Sequence, residues 1–192
     1  MKVNILDLSS PLLFSALLLH QVTRDAGPVK GGTTVIAFVK DPSGYLWELI
    51  QRKDSPEPLC QVMLRVGDLK KSEEWYSKVL GMKLLRERDT PEYKYTLGFM
   101  GYGPEEISAV IELTYNYGTS SYIKGNAFSQ VAVATKDIQK TAEQVKAAGG
   151  KVLAGPTTVP TIVAAGAHDQ SSSSLSLVTE DPDGWRIIFV QQ

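Results

Sequence analysis

The pentapeptide Asp41-Pro-Ser-Gly-Tyr45 returns 140 residues later as Asp181-Pro-Asp-Gly-Trp185, and this repeat constrains the fold more than any other feature of the chain. In both copies a β-rich apolar segment leads into the motif and another leaves it. Proline presets φ at the second position and glycine tolerates positive φ at the fourth, so each copy reads as strand, turn, strand. Upstream, Ala26-Gly27-Pro28 returns as Ala154-Gly155-Pro156, 128 residues later. The second copy therefore carries about 12 extra residues, placed around Ala164 to Ser174, where serines and Gly166 read as a solvent loop. His168 falls inside that loop and reads as solvated.

The repeat also divides the chain. Residues 59–192 read as one whole unit, whereas residues 22–52 read as the C-terminal remnant of an earlier copy whose front portion has no counterpart. Residues 1–21 have no repeat partner and read as a segment outside the repeating domain. Within the whole unit, Gln61 to Val66 alternates like a strand, and Asp68 caps an amphipathic helix over Leu69 to Leu80 that Gly81 closes. Strand-like segments follow at Met82 to Arg88, Tyr93 to Met100 and Ala109 to Tyr115. A second pass places a strand at Gln130 to Ala134, a helix at Asp137 to Ala148, and further strands to Val190. The order is βαβββ, twice.

Composition excludes more than it selects. With 20 basic and 21 acidic residues and a net charge of -1, the chain offers no attraction to nucleic acid or an anionic membrane, which leaves a small molecule as the expected ligand. The single cysteine, Cys60, rules out an intrachain disulfide framework, fits a reducing compartment, and reads as a small strand residue rather than a nucleophile. The apolar run from Pro11 to Leu19 is well short of the roughly 18 residues of a membrane span, and its flanks do not suit a signal peptide.

Polar residues on the strands carry the chemistry. Alternation puts Gln61, Met63 and Arg65 on one face of their strand, and Glu112, Thr114 and Asn116 on one face of the strand Val110 to Asn116. The segment Tyr45 to Ile50 is apolar on both faces except for Glu48. A carboxylate there costs several kcal/mol unless it is paired, protonated or bound to a metal; a solvated sheet edge is the alternative for both Glu48 and Glu112.

Several long runs resemble glyoxalase I, the lactoylglutathione lyase family: Leu59-Cys-Gln-Val-Met-Leu-Arg-Val-Gly-Asp-Leu69, Leu80-Gly-Met-Lys-Leu-Leu85, Pro91-Glu-Tyr-Lys-Tyr95, Val110-Ile-Glu-Leu-Thr-Tyr-Asn-Tyr-Gly118 and Gly27-Pro-Val-Lys-Gly-Gly-Thr-Thr-Val-Ile-Ala-Phe-Val39. The layout is similar to the plant two-domain form with its N-terminal part truncated. The resemblance implies an α+β vicinal oxygen chelate fold, in which paired βαβββ modules form a curved sheet around a divalent metal ion, nickel or zinc.

Residue by residue, it implies metal ligands at Gln61, Glu112 and Glu48. The fourth family ligand, a histidine, belongs to the stretch before Val22, and His20 does not align with it. The other module combination reads Gln130 at the histidine position and Ile188 at the final glutamate position, so it lacks a ligand set. Glu48 and Glu112 are the implied catalytic carboxylates, and Arg65 and Asn116 the implied holders of the carboxylate end of glutathione; Lys30 is a weaker candidate for that role.

The implied reaction turns the glutathione–methylglyoxal hemithioacetal into S-lactoylglutathione. The compartment is the cytoplasm or, by the plant resemblance, a plastid. An impaired fragment that binds glutathione-type ligands or another glyoxalase chain is the alternative. A different enzyme of the same fold, such as an extradiol dioxygenase, needs two histidines and a carboxylate, and only His20 and His168 are available.

Overall fold

The computed structural model describes residues 2–5, 21–30, 32–52, 59–126, 128–160 and 173–192. The chain divides into two compact units, Met1–Met63 with Gly101–Glu112, and Leu64–Met100 with Leu113–Gln192.

The first unit is built on β1 (Lys2–Ile5), β2 (Gln21–Pro28), β3 (Val35–Lys40), β4 (Leu46–Gln51) and the start of β5 (Leu59–Arg65). β2, β3 and β4 form an antiparallel meander. Its second turn is the repeated pentapeptide: Oδ1 of Asp41 accepts the N–H groups of Ser43 and Tyr45, both at 2.9 Å, and Gly44 takes the positive φ of 85° that the turn requires. The period of two sorts the side chains into two clusters. Ala37, Val39 and Leu49 pack with Val35 and Trp47, whereas Ile36, Ile50 and Cys60 pack with Val29 and Phe38.

Of residues 1–21, read from the sequence as a segment outside the repeating domain, Lys2–Ile5 form the strand β1. It lies between β4 and β5, parallel to the first and antiparallel to the second. Four residues carry too short a pattern to reveal such a pairing in sequence, since the partners lie more than forty positions away. Lys2 pairs with Gln61 and Val3 with Leu59, which leaves Cys60 as the extra residue of a β-bulge. Cys60 is buried in its apolar cluster, in keeping with a structural cysteine.

The second unit continues β5 and adds α1 (Leu69–Leu80), β6 (Lys83–Thr90), a 3-10 turn at Pro91–Tyr93, β7 (Tyr95–Gly101) and β8 (Val110–Asn116), with β5, β7 and β8 running through both units. It then adds β9 (Val131–Thr135), α2 (Ile138–Ala147), β10 (Lys151–Pro160), β11 (Ser173–Glu180) and β12 (Arg186–Gln191). The expected βαβββ order appears twice, as β5-α1-β6-β7-β8 and β9-α2-β10-β11-β12.

Both helices start where an aspartate caps them: Asp68 accepts from the Lys71 N–H at 3.0 Å and Asp137 from the Lys140 N–H at 2.9 Å. Each buries one stripe, Leu69, Tyr76 and Leu80 among others on α1, and Ile138, Ala142 and Val145 on α2. The strand expected from Tyr93 begins at Tyr95, because Pro91 opens a 3-10 turn that Lys94 ends in the left-handed region.

Within the first unit the strand order is β2-β3-β4-β1-β5, followed by the start of β8; within the second it is β5-β8-β7-β6, with a four-stranded sheet in the order β10-β11-β12-β9. β9 runs parallel to β12, as β1 does to β4. The insertion around Ala164 lies outside the described residues except at its end.

Candidate functional site

In the first unit, three of the sequence-predicted donors stand on neighbouring parts of one sheet. Glu48 on β4 and Gln61 on β5 are both register partners of Lys2 on the strand between them. With strands about 4.8 Å apart, their Cα atoms lie within about 10 Å of one another in one row. β8, which carries Glu112, is the next strand beyond β5. Gln61 and Glu112 are each only 4% exposed, whereas Glu48 is half-buried.

The bulge at Cys60 bears on this arrangement, because one extra residue re-aims the side chains that follow it and lets Cys60 join the Ile50 cluster while Gln61 stays in register with Lys2.

The side chain of Gln61 is half satisfied. Its Nε2 donates to Oε2 of Glu105 at 3.4 Å, and its Oε1 is buried without a hydrogen-bond partner. A carboxylate accepts and does not donate, so the amide nitrogen belongs at Glu105 and the oxygen faces the other way. An amide oxygen left in this condition costs about 1–3 kcal/mol, which a donor or a cation would recover. Glu105 is itself tied down, its carbonyl accepting from Nη2 of Arg52 at 2.9 Å.

Among the described residues, no three His, Cys, Asp or Glu side chains gather closely enough to hold a metal unaided. The candidate set is two carboxylates and an amide, all hard oxygen donors, and the orphaned amide oxygen beside a buried carboxylate strand fits a divalent cation.

The second unit brings Arg65 and Asn116 together through a residue that the sequence did not single out. The guanidinium carbon of Arg65 stands 5.8 Å from the centre of the Tyr122 ring, and the Tyr122 hydroxyl accepts from Nδ2 of Asn116 at 3.0 Å. Arg65 is exposed and lines a cleft of about 170 Å³ with Ser121, Tyr122, Lys124, Asp183 and Trp185. A larger cleft of about 690 Å³, between the two helices and the Asp181 turn, holds none of the predicted site residues. Its size alone gives it no chemistry. Asp181 on its wall is 4% exposed; burial raises its carboxyl from 3.8 to about 6, against the opposing pull of the Trp185 N–H and the Tyr76 hydroxyl.

Residues 59–189 match the model of the Glyoxalase/Bleomycin resistance protein/Dioxygenase superfamily. The chain belongs to that superfamily. It is 54% identical over 174 residues to a lactoylglutathione lyase of Oryza sativa subsp. japonica, covering 88% of this chain and 56% of the relative. To a lactoylglutathione lyase of Escherichia coli O157:H7 it is 44% identical over 136 residues, covering 70% of this chain and 92% of the relative. The crystal structure of glyoxalase I from Zea mays matches with a TM-score of 0.88 at 48% identity, over 99% of this chain and 66% of that one. The chain thus spans about half the length of the plant relatives it matches, 56% of the rice protein and 46% of a probable chloroplastic lactoylglutathione lyase of Arabidopsis thaliana.

For this member of the superfamily the other predicted positions divide as follows. Ile188 is buried with Val178 and Val190, and Gln130 is half-buried just before β9. Lys30 is exposed in the turn after β2. His20 and His168 lie outside the described residues. Sequence reasoning missed Glu105, Tyr122 and Trp185; of these only Trp185 carried a signal, through the repeat. No helix among the described residues is long and apolar enough to cross a membrane.

Proposed function

We propose that the chain performs lactoylglutathione lyase chemistry, converting the hemithioacetal of glutathione and methylglyoxal to S-lactoylglutathione, with one divalent cation held by Glu48, Gln61 and Glu112. The observation that carries this reading is the Gln61 amide: its nitrogen is committed to Glu105, and its buried oxygen is left as an acceptor without a donor. Nickel or zinc at that position supplies positive charge against the negative charge that develops on the two vicinal oxygens of the substrate.

The protein's own residues move the proton. Glu48 takes it from the carbon that bears sulfur and hydroxyl and returns it to the neighbouring carbonyl carbon, while the proton of the first hydroxyl passes to the second oxygen, so that the thioester carbonyl forms on the first carbon and a hydroxyl on the second. Glu112 plays the corresponding part for the opposite face of the substrate. Arg65 and Asn116 hold the carboxylate end of glutathione, a task for which the planar guanidinium fork is suited.

In this reading residues 59–192 are one whole glyoxalase unit and residues 22–52 the C-terminal part of another. The setting is the cytoplasm or a plastid, which fractionation of the native host separates. The deciding experiment follows thioester formation from glutathione and methylglyoxal in the chain loaded with nickel or zinc. Glu48→Gln and Glu112→Gln each lower the rate by about a hundredfold or more. Full rate in both variants removes the assignment.

A second reading, association with another glyoxalase chain, is favoured by β9. Its counterparts β1 and β5 are each paired on both sides, whereas β9 ends its sheet among the described residues. A monomer in sedimentation at micromolar concentration counts against it.

A further inference from the structure

We infer that Trp185 and Asp183 are positioning residues for Arg65: the turn that closes the second repeat grips the end of β5 and so sets where the guanidinium stands. The inference rests on the assignment of Arg65 to the glutathione carboxylate. The indole Nε1 of Trp185 donates to the carbonyl of Arg65 itself at 2.7 Å. Two residues further on, the Gly67 N–H donates to Oδ1 of Asp183 at 2.7 Å, and Oδ2 of the same carboxylate accepts the Ser72 hydroxyl at 3.0 Å. Between these two grips the Val66 N–H donates to the Thr114 carbonyl at 3.0 Å. Residues 65 to 67 are therefore held at three successive positions by neighbours that fix both backbone direction and height.

The two copies of the pentapeptide show that this is not a generic property of the turn. Both use Oδ1 of the leading aspartate in the same way, Asp181 accepting from the N–H groups of Asp183 at 2.9 Å and Trp185 at 2.8 Å. In the first copy the other oxygen, Oδ2 of Asp41, accepts from Trp47 of the same hairpin at 3.0 Å. In the second copy Oδ2 of Asp181 accepts from the Tyr76 hydroxyl of α1 at 2.9 Å, 105 residues away in sequence. The position after the glycine is Tyr45 in the first copy, with no indole N–H to give, and Trp185 in the second, where the N–H reaches β5.

The guanidinium end is placed by the same assembly. Gly67 lies so close to residue 120 that a Cβ on it would sit 2.1 Å from the Ser120 carbonyl oxygen, and this approach brings the Ser120–Tyr122 segment against the strand end. Tyr122 then lies under Arg65 and accepts from Asn116.

The test is calorimetric binding of S-methylglutathione to the full chain, which requires no turnover. Trp185→Phe keeps a ring for the contacts with Phe128 and Lys124 but removes the N–H donor. It is expected to weaken binding about fivefold to tenfold, the effect of one lost hydrogen bond transmitted to a charged contact. Arg65→Ala weakens it further, and the double variant Arg65→Ala with Trp185→Phe binds no worse than Arg65→Ala alone, because the indole acts only through Arg65. In turnover, Trp185→Phe raises KM with little change in kcat.

Independent, multiplicative losses in the double variant, or wild-type affinity in Trp185→Phe, overturn the inference while leaving Arg65 as a ligand-binding residue. Wild-type affinity in Arg65→Ala overturns the underlying assignment as well. Should Trp185→Phe fail to fold, Asp183→Ala supplies the same comparison through Gly67.

Discussion

The side-chain nitrogen of Gln61 stands 3.4 Å from Oε2 of Glu105, while the oxygen of the same amide is buried without a hydrogen-bond partner. Glu105→Ala frees the amide to turn and should weaken nickel or zinc binding about tenfold, as is usual when the partner of a ligand is removed. Gln61→Leu removes the oxygen altogether and should weaken binding more. Calorimetric titration of both metals measures each; equal affinity in Gln61→Leu and the wild type would show that Gln61 is not a ligand.

Asp181 makes stability depend on pH in an unusual direction. Its carboxyl is raised by burial from 3.8 to about 6, so between those values the folded chain keeps a proton that the unfolded chain has released. The group's contribution is complete below about pH 4 and is lost as pH rises through about 6, amounting to about 3 kcal/mol in total. Asp181→Asn cannot titrate. Relative to that variant the wild type should lose stability from pH 4 to pH 7 in urea unfolding; parallel curves would show that the side chain does not hold the proton.

Deleting residues 1–21 should destabilise the chain by about 2 kcal/mol or more, roughly 4–8 °C in melting temperature for a protein of this size. Without β1, the facing edges of β4 and β5 lose their backbone partners. Differential scanning calorimetry of the shortened chain is the measurement, and an unchanged transition would mean that β1 contributes nothing to the sheet.

Gly67→Ala and Gly81→Ala separate two reasons for glycine. At Gly67 the new methyl meets backbone at 2.1 Å, so the Ser120–Tyr122 segment must move; stability should fall by about 1–3 kcal/mol and S-methylglutathione binding should weaken with it. At Gly81 nothing lies within 4 Å but φ is 68°, so the cost is about 1 kcal/mol of backbone strain with no effect on the ligand. Equal binding by both variants would detach Tyr122 from the site.

The module order was legible because its signals are local. Asp68 and Gly81 bracket α1 and Asp137 opens α2 through contacts within a few residues, and the Asp-Pro-x-Gly turns form the same hydrogen bonds in both copies. The alternation that puts Gln61 and Arg65 on one face of β5 is likewise a property of the strand itself. What only the tertiary structure decided involves partners far apart in sequence.

The insertion of Lys2–Ile5 between β4 and β5 could not be read from four residues, since backbone pairing carries almost no sequence signature when the strand is so short. The approach of Glu105 to Gln61, and of Tyr122 to both Arg65 and Asn116, depends on where loops come to rest. The clearest case is the repeat itself. Asp41 and Asp181 begin near-identical turns, yet Oδ2 of one accepts from Trp47 in its own hairpin and Oδ2 of the other from Tyr76 on a helix, because the local sequence specifies the turn while the surrounding packing selects the donor that reaches it.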